Sequence, residues 1–189
     1  MAASKTRFFW IDLEMTGLDP QKDRILEAAV IVTDKYLVSQ YEYETTVYQP
    51  GIVIEKMNDW CQKHHAESGL LRRIRENERF SEEQLDRRLC DIVQSQIKRK
   101  SDQVVICGNS IAQDRRFIDR YLPRFAEKLD YRMLDVSSFK IVFRDMLGRE
   151  FLKQNNHRAL DDIRESIDEL KYYMKAIDPN GLTPIGGED

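Results

Sequence analysis

A chain of 189 residues, 41% hydrophobic and 33% charged, has the size and balance of a single soluble domain built round one core. Its formal net charge of −3 argues against a surface that wraps long nucleic acid, a mode that needs broad positive charge, while leaving short nucleic-acid ligands open. No run approaches the roughly 18 consecutive apolar residues of a membrane span, and Cys61, Cys90 and Cys107 lack the spacing of a disulfide framework or a thiolate zinc site.

The segment Met1 to Arg7 is short and polar and runs straight into an apolar stretch, which leaves no room for a signal peptide. A cytoplasmic location is therefore expected, with a mitochondrial one as the alternative if a targeting extension is missing. Arg7 to Leu13, rich in aromatic and branched residues and ended by Thr16-Gly17 and Asp19-Pro20, predicts a buried strand and a turn. A second apolar run from Ile25 to Thr33 and an alternating one from Leu37 to Tyr48 continue it as an antiparallel meander closed by Pro50-Gly51. Ser81 and Gln84 have capping-box spacing ahead of Leu85, Leu89, Ile92, Val93 and Ile97, which predicts a long amphipathic helix ending near Lys100.

Val104 to Cys107 reads as a short buried strand, closed by Gly108-Asn109 and followed by a helix carrying Phe117, Ile118, Tyr121 and Leu122. Tyr131 to Val136 is the last expected strand, and Leu160, Ile163, Ile167, Leu170 and Met174 stripe a final helix. A meander followed by alternating strand and helix indicates an α/β protein with a mixed sheet and helices packed on its faces. One domain over residues 1–178 is expected, with 179–189 as a disordered tail.

Asp12 and Glu14 stand two apart in the first strand, so both carboxylates leave the same face of the pleat. Crowded carboxylates need a cation, and an all-oxygen donor set favours hard Mg2+ or Mn2+ over zinc. Taken alone, the pair reads equally well as a solvated strand end. Asp114 falls in line with Phe117, Ile118 and Tyr121, on the apolar side of its helix, where a carboxylate needs a partner. Considered by itself it is also an acid suited to the positive end of the helix dipole. Periodicity does not choose between Asp161 and Asp162, nor does it decide whether His157 lies in a loop or opens the last helix.

The motifs Ile11-Asp12-Leu13-Glu14-Met15-Thr16-Gly17-Leu18-Asp19, Cys107-Gly108-Asn109-Ser110 with Gln113-Asp114-Arg115, and His157-Arg158-Ala159-Leu160-Asp161-Asp162 together resemble the oligoribonucleases. These are DEDD exonucleases of the H-containing type, and the likeness runs from about Trp10 to Tyr173. It implies a ribonuclease H-like fold, with a mixed five-stranded sheet and helices on both faces. The pattern His-x-Ala-x-x-Asp selects Asp162, and the implied catalytic set is Asp12, Glu14, Asp114 and Asp162 holding two divalent ions, with His157 accepting a proton. All five residues of that set are present, which disfavours an inert binding module on the same fold.

The implied activity is 3′-to-5′ cleavage of single-stranded RNA two to about five nucleotides long, releasing nucleoside 5′-monophosphates. Leu18 is then a wedge between bases and Trp60 and His65 are stacking surfaces. Ser110, Arg132, Ser137 and Ser138 bind the terminal 5′-phosphate and so measure length. The resemblance further implies a homodimer in which Tyr131 reaches the partner's site. One stretch departs from the family: residues 142–156 carry Phe143-Arg144-Asp145-Met146-Leu147-Gly148-Arg149, where an Arg-Arg-Trp-Pro-like sequence is usual. The clusters Arg72, Arg73, Arg75 and Arg115, Arg116, Arg120 read mostly as solvated helix faces.

Overall fold

The computed structural model describes residues 5–77, 79–99, 101–152 and 159–177. Five strands form one sheet in the order β3-β2-β1-β4-β5. The meander is β1 (Thr6–Met15), β2 (Ile25–Thr33) and β3 (Ser39–Thr46), all antiparallel, while β4 (Gln103–Gly108) and β5 (Met133–Asp135) run parallel to β1. Every residue of β2 is buried, as its Ile-Leu-Glu-Ala-Ala-Val-Ile-Val run, apolar but for Glu27, demands of a strand covered on both faces.

Alternation along β1 assigns its side chains to two cores. Phe9, Ile11 and Leu13 join Leu85, Leu89, Ile92 and Val93 of α4 (Glu82–Gln96), Phe117 and Ile118 of α5 (Ala112–Tyr121), and Phe125 of α6 (Pro123–Ala126). Trp10 faces the other way, with Val136 of α7 (Val136–Ile141) and Ile163, Ile167, Leu170 and Tyr173 of α8 (Ala159–Ala176). By the two-residue period Asp12 and Glu14 leave on the Trp10 face, the one that α8 covers. A third cluster seats α2 (Asp59–Glu67) and α3 (Leu70–Glu76) against the end of the sheet through Leu26, Cys61, Leu70 and Ile74. The short α1 (Gly51–Glu55) precedes them and buries no residue.

Most of the expected elements are present, including the reciprocal Ser81–Gln84 capping box. Three expectations are corrected. The last strand is only Met133–Asp135, because the Asp135 side chain accepts the N–H of Ser137 and starts α7 at Val136. Tyr131 and Arg132 consequently lie outside the sheet, exposed, with the guanidinium 4.3 Å from the tyrosine ring centroid. The buried stripe of α8 ends on Tyr173, with Met174 turned to solvent. Finally, Arg73 is not a solvated residue: its Nη1 lies 2.6 Å from the carboxylate of Glu27, the one acid buried within β2.

The family-divergent stretch forms a π-helical turn over Val142–Met146. Phe143 anchors it by stacking on Tyr173, with centroids 4.7 Å apart. Gly148 follows in the left-handed region (φ 63).

Candidate active site

Ligand oxygens of Asp12, Glu14 and Asp162 all lie within 4.8 Å of one another. Two come from β1 and the third from the first turn of α8, so the cluster is a consequence of α8 packing on the Trp10 face. Asp161, the alternative that periodicity left open, instead forms an exposed ion pair with Arg164 at 2.9 Å. Asp114 approaches from the opposite core: its Oδ1 accepts the N–H of Leu13, between the two β1 acids, at 3.0 Å. Its carboxyl is buried, and burial together with the charge of Asp12 pushes its pKa well above the usual carboxylate range. Glu14 is pushed up to about 8, first by burial and then by Asp12, Glu27 and Asp162, with Arg73 acting in the opposite sense.

Such crowding is unfavourable for the carboxylates themselves and is relieved by a cation among them. The donors are all hard oxygens, so the residues present fit a divalent ion. His157, the expected proton acceptor, lies outside the described residues.

Glu14 also belongs to a groove of about 710 Å³, lined further by Leu18, Asn58, Trp60, Cys61 and His65. Leu18 is 71% exposed, yet the loop that carries it is held firmly. Asp23 accepts from the Thr16 hydroxyl and the Asp19 N–H, Gln113 donates its amide to the Leu18 carbonyl at 2.7 Å, and the Tyr121 hydroxyl faces the carbonyls of Pro20 and Asp23. A Cβ at Gly17 would meet the Asp23 carboxylate at 2.5 Å and push it off these bonds.

Trp60 is 69% exposed, so its ring is open to the groove and not packed in a core. The ring stacked on it is His64, 4.7 Å away and 10° from parallel. His65, expected to stack, lines the groove but is only 2% exposed. Its Nε2 lies 2.9 Å from the Met15 carbonyl, and its Nδ1 lies 3.9 Å from Glu14. Burial lowers its pKa, and Nε2 donates to that carbonyl, which can only accept.

The residues expected to hold a 5′-phosphate are partly assembled. Ser110, in the left-handed region at φ 51, donates its N–H to Asp135 and to the Ser137 hydroxyl oxygen, both at 2.9 Å. Ser138 and Arg132 are exposed nearby in sequence, and Arg132 pairs loosely with Asp130 at 3.6 Å. Gln113, His64 and Asn109 support the site without having been singled out for it. Gln113 and Asn109 belong to the motifs that carry the family resemblance, and His64 stands next to His65.

A mixed sheet of this order, with acids from its central strand meeting an acid from the last helix, defines a metal-dependent exonuclease of ribonuclease H-like architecture. The exonuclease family model matches residues 9–170. An oligoribonuclease of Haemophilus influenzae is 46% identical over 179 residues, covering 93% of this chain and 97% of its own length. That of Actinobacillus pleuropneumoniae is 47% identical over 169 residues, covering 87% and 90%.

Among solved structures, exonuclease I of Methylocaldum szegediense superposes with a TM-score of 0.64 at 18% identity, over 92% of this chain and 41% of its own. The zinc-bound complex of Escherichia coli exonuclease I with single-stranded DNA does so with a TM-score of 0.61 at 14% identity, over 92% and 41%. These remote likenesses establish the fold. The chain belongs to the exonuclease family and, within it, to the oligoribonucleases.

Proposed function

We propose that the chain removes nucleotides from the 3′ end of short single-stranded RNA, dinucleotides above all, and releases nucleoside 5′-monophosphates. The observation that carries this reading is the double membership of Glu14: it stands in the carboxylate cluster and also lines the groove with Leu18 and Trp60. A nucleotide whose base lies in that groove has its phosphodiester beside the acids.

Asp12, Glu14, Asp114 and Asp162 hold Mg2+ or Mn2+. The ions, when bound, make a water acidic enough to attack phosphorus and neutralise charge on the departing 3′-oxygen. Leu18, fixed through its carbonyl by Gln113, separates adjacent bases, and the Trp60–His64 stack gives one of them a flat apolar platform. His65 keeps Glu14 company rather than a base, its buried ring filling the space beside that carboxylate. His157, as the family resemblance implies, takes the water's proton, a role suited to an imidazole of ordinary pKa near 6.5. Ser110, Arg132 and Ser138 receive the 5′-phosphate and close the site to longer chains, while Ser137, expected to bind it directly, stands behind Ser110 with its hydroxyl donated to Asn109.

The active form is a homodimer in which Tyr131 serves the partner's site. Support comes from exposed apolar side chains in and around the short edge strand β5 in the chain, Tyr131, Met133, Ile141, Val142, Met146 and Leu147. The enzyme works in the cytoplasm.

The test is turnover of a dinucleotide and of a 20-mer RNA, each with Mg2+, with Mn2+ and with a chelator. Fast dinucleotide cleavage with either ion is expected, and equal turnover of the two lengths would sink the short-substrate reading.

A further inference from the structure

The strongest unassigned feature is a chain of hydrogen bonds that joins the helix carrying Asp162 to the serines at the opposite end of the site. Glu169 of α8 has no exposed surface, and its carboxylate accepts from the Tyr173 hydroxyl at 2.8 Å and from the Asn109 side-chain amide at 3.1 Å. The same Asn109 nitrogen donates to Ser166 at 2.8 Å, and the Ser166 hydroxyl donates to the carbonyl of Asp162 at 2.8 Å.

These partners decide which way the amide faces. A carboxylate can only accept from it, so nitrogen points to α8 and the Asn109 oxygen points to Ser137. The Ser137 hydroxyl therefore gives its proton to Asn109, across 3.2 Å, while its oxygen accepts the N–H of Ser110. Ser137 is thus occupied as a brace. It holds Ser110 in its left-handed conformation, a state that a residue with a side chain keeps only when its surroundings fix it. The hydroxyl of Ser110, 3.3 Å from that of Ser137, is the one left at the surface for an anion.

We propose that Asn109 is a positioning residue: through Ser137 it sets Ser110 toward the 5′-phosphate, and through Ser166 it ties that end of the site to the Asp162 helix. This rests on the reading of Ser110 and its neighbours as a 5′-phosphate site.

The experiment compares kcat/KM for a 5′-phosphorylated dinucleotide with that for the same dinucleotide bearing a 5′-hydroxyl. In the unaltered protein the phosphorylated form is favoured. Asn109→Ala lowers that preference by about five- to tenfold, mainly through KM, as expected from losing one correctly aimed hydrogen bond to an anion. Tyr173→Phe takes a partner from the same buried Glu169 and loosens the same network, but leaves every bond of Asn109 in place, and it keeps the full preference. Because the reading is a ratio, general loss of folded protein does not move it. Should Asn109→Ala fail to fold, Asn109→Ser, too short to reach Ser137, gives the same loss. An unchanged preference in the Asn109 variants, or an equal loss in Tyr173→Phe, overturns the proposal while leaving the 5′-phosphate reading intact. An unaltered protein that does not distinguish the two substrates overturns both.

Discussion

The N–H of Leu13 donates to Oδ1 of Asp114 across 3.0 Å, so the central strand and the helix after β4 are fastened at the point where their acids converge. The bond uses one oxygen of a buried carboxylate to satisfy a buried backbone donor. Stability and chemistry are therefore separable at this residue. Asp114→Asn keeps an acceptor for Leu13 and folds with little change in Tm, whereas Asp114→Ala orphans the N–H and costs about 1–3 kcal/mol. Both lose hydrolysis by at least about 100-fold, equivalent to about 2.7 kcal/mol of transition-state stabilisation. Thermal melts beside dinucleotide turnover check the pair. Residual activity in Asp114→Asn within tenfold of the unaltered protein would take Asp114 out of the metal set.

Metal and proton compete for Glu14. Its folded-state pKa is raised from 4.5 to about 8, so in metal-free protein its ionisation opposes folding. That penalty is absent below about pH 4.5, grows as pH rises and is complete above about pH 8. The Tm of chelator-treated protein should accordingly fall between about pH 5 and pH 8 more steeply than that of Glu14→Gln. Added Mn2+ should raise Tm further near pH 8 than near pH 6, since at the lower pH the ion must first displace a proton. Equal metal-induced shifts at the two pH values would show that Glu14 is not among the ligands.

Much of this arrangement was legible in the chain. The largely apolar run of β2 marks a strand covered on both faces and the two-residue spacing of Asp12 and Glu14 follows the pleat, and the structure places the elements accordingly. What pattern could not supply was partnership across the fold. Arg73 sits in an arginine-rich helix that reads as solvated, and only the approach of α3 to β2 makes it the half-buried partner of the buried Glu27. The two adjacent histidines differ by one position on α2, and the helix rotation that buries His65 behind Met15 leaves His64 to stack on Trp60. Val136 looked like strand because it is β-branched and apolar, yet the cap formed by Asp135 outweighed that propensity.

Asp161 and Asp162 provide a matched comparison on one turn of α8. Asp162 joins Asp12 and Glu14, whereas Asp161 makes a surface pair with Arg164. Surface pairs of this kind are worth about 0–1 kcal/mol, so Asp161→Asn should leave turnover within about twofold and Tm nearly unchanged. Asp162→Asn should lower turnover by at least about 100-fold and, by removing one of several crowded charges, raise the Tm of the metal-free protein. Steady-state rates and melts of both variants in chelator decide it. A loss of comparable size at Asp161 would contradict the geometry.

Trp60 separates binding from chemistry. It is exposed, stacked on His64 and placed on the groove that Glu14 enters, so it touches neither the core nor the acids' own hydrogen bonds. A base stacked on an aromatic ring gains about 1–3 kcal/mol, which for Trp60→Ala corresponds to a KM increase of about five- to 150-fold, with kcat within a few-fold. Trp60→Phe retains part of that surface and should fall between, and Tm should stay close to that of the unaltered protein because little buried area is lost. Dinucleotide titrations of the three proteins supply the measurement. A fall in kcat without a rise in KM would mean that Trp60 acts on the transition state instead of holding the base.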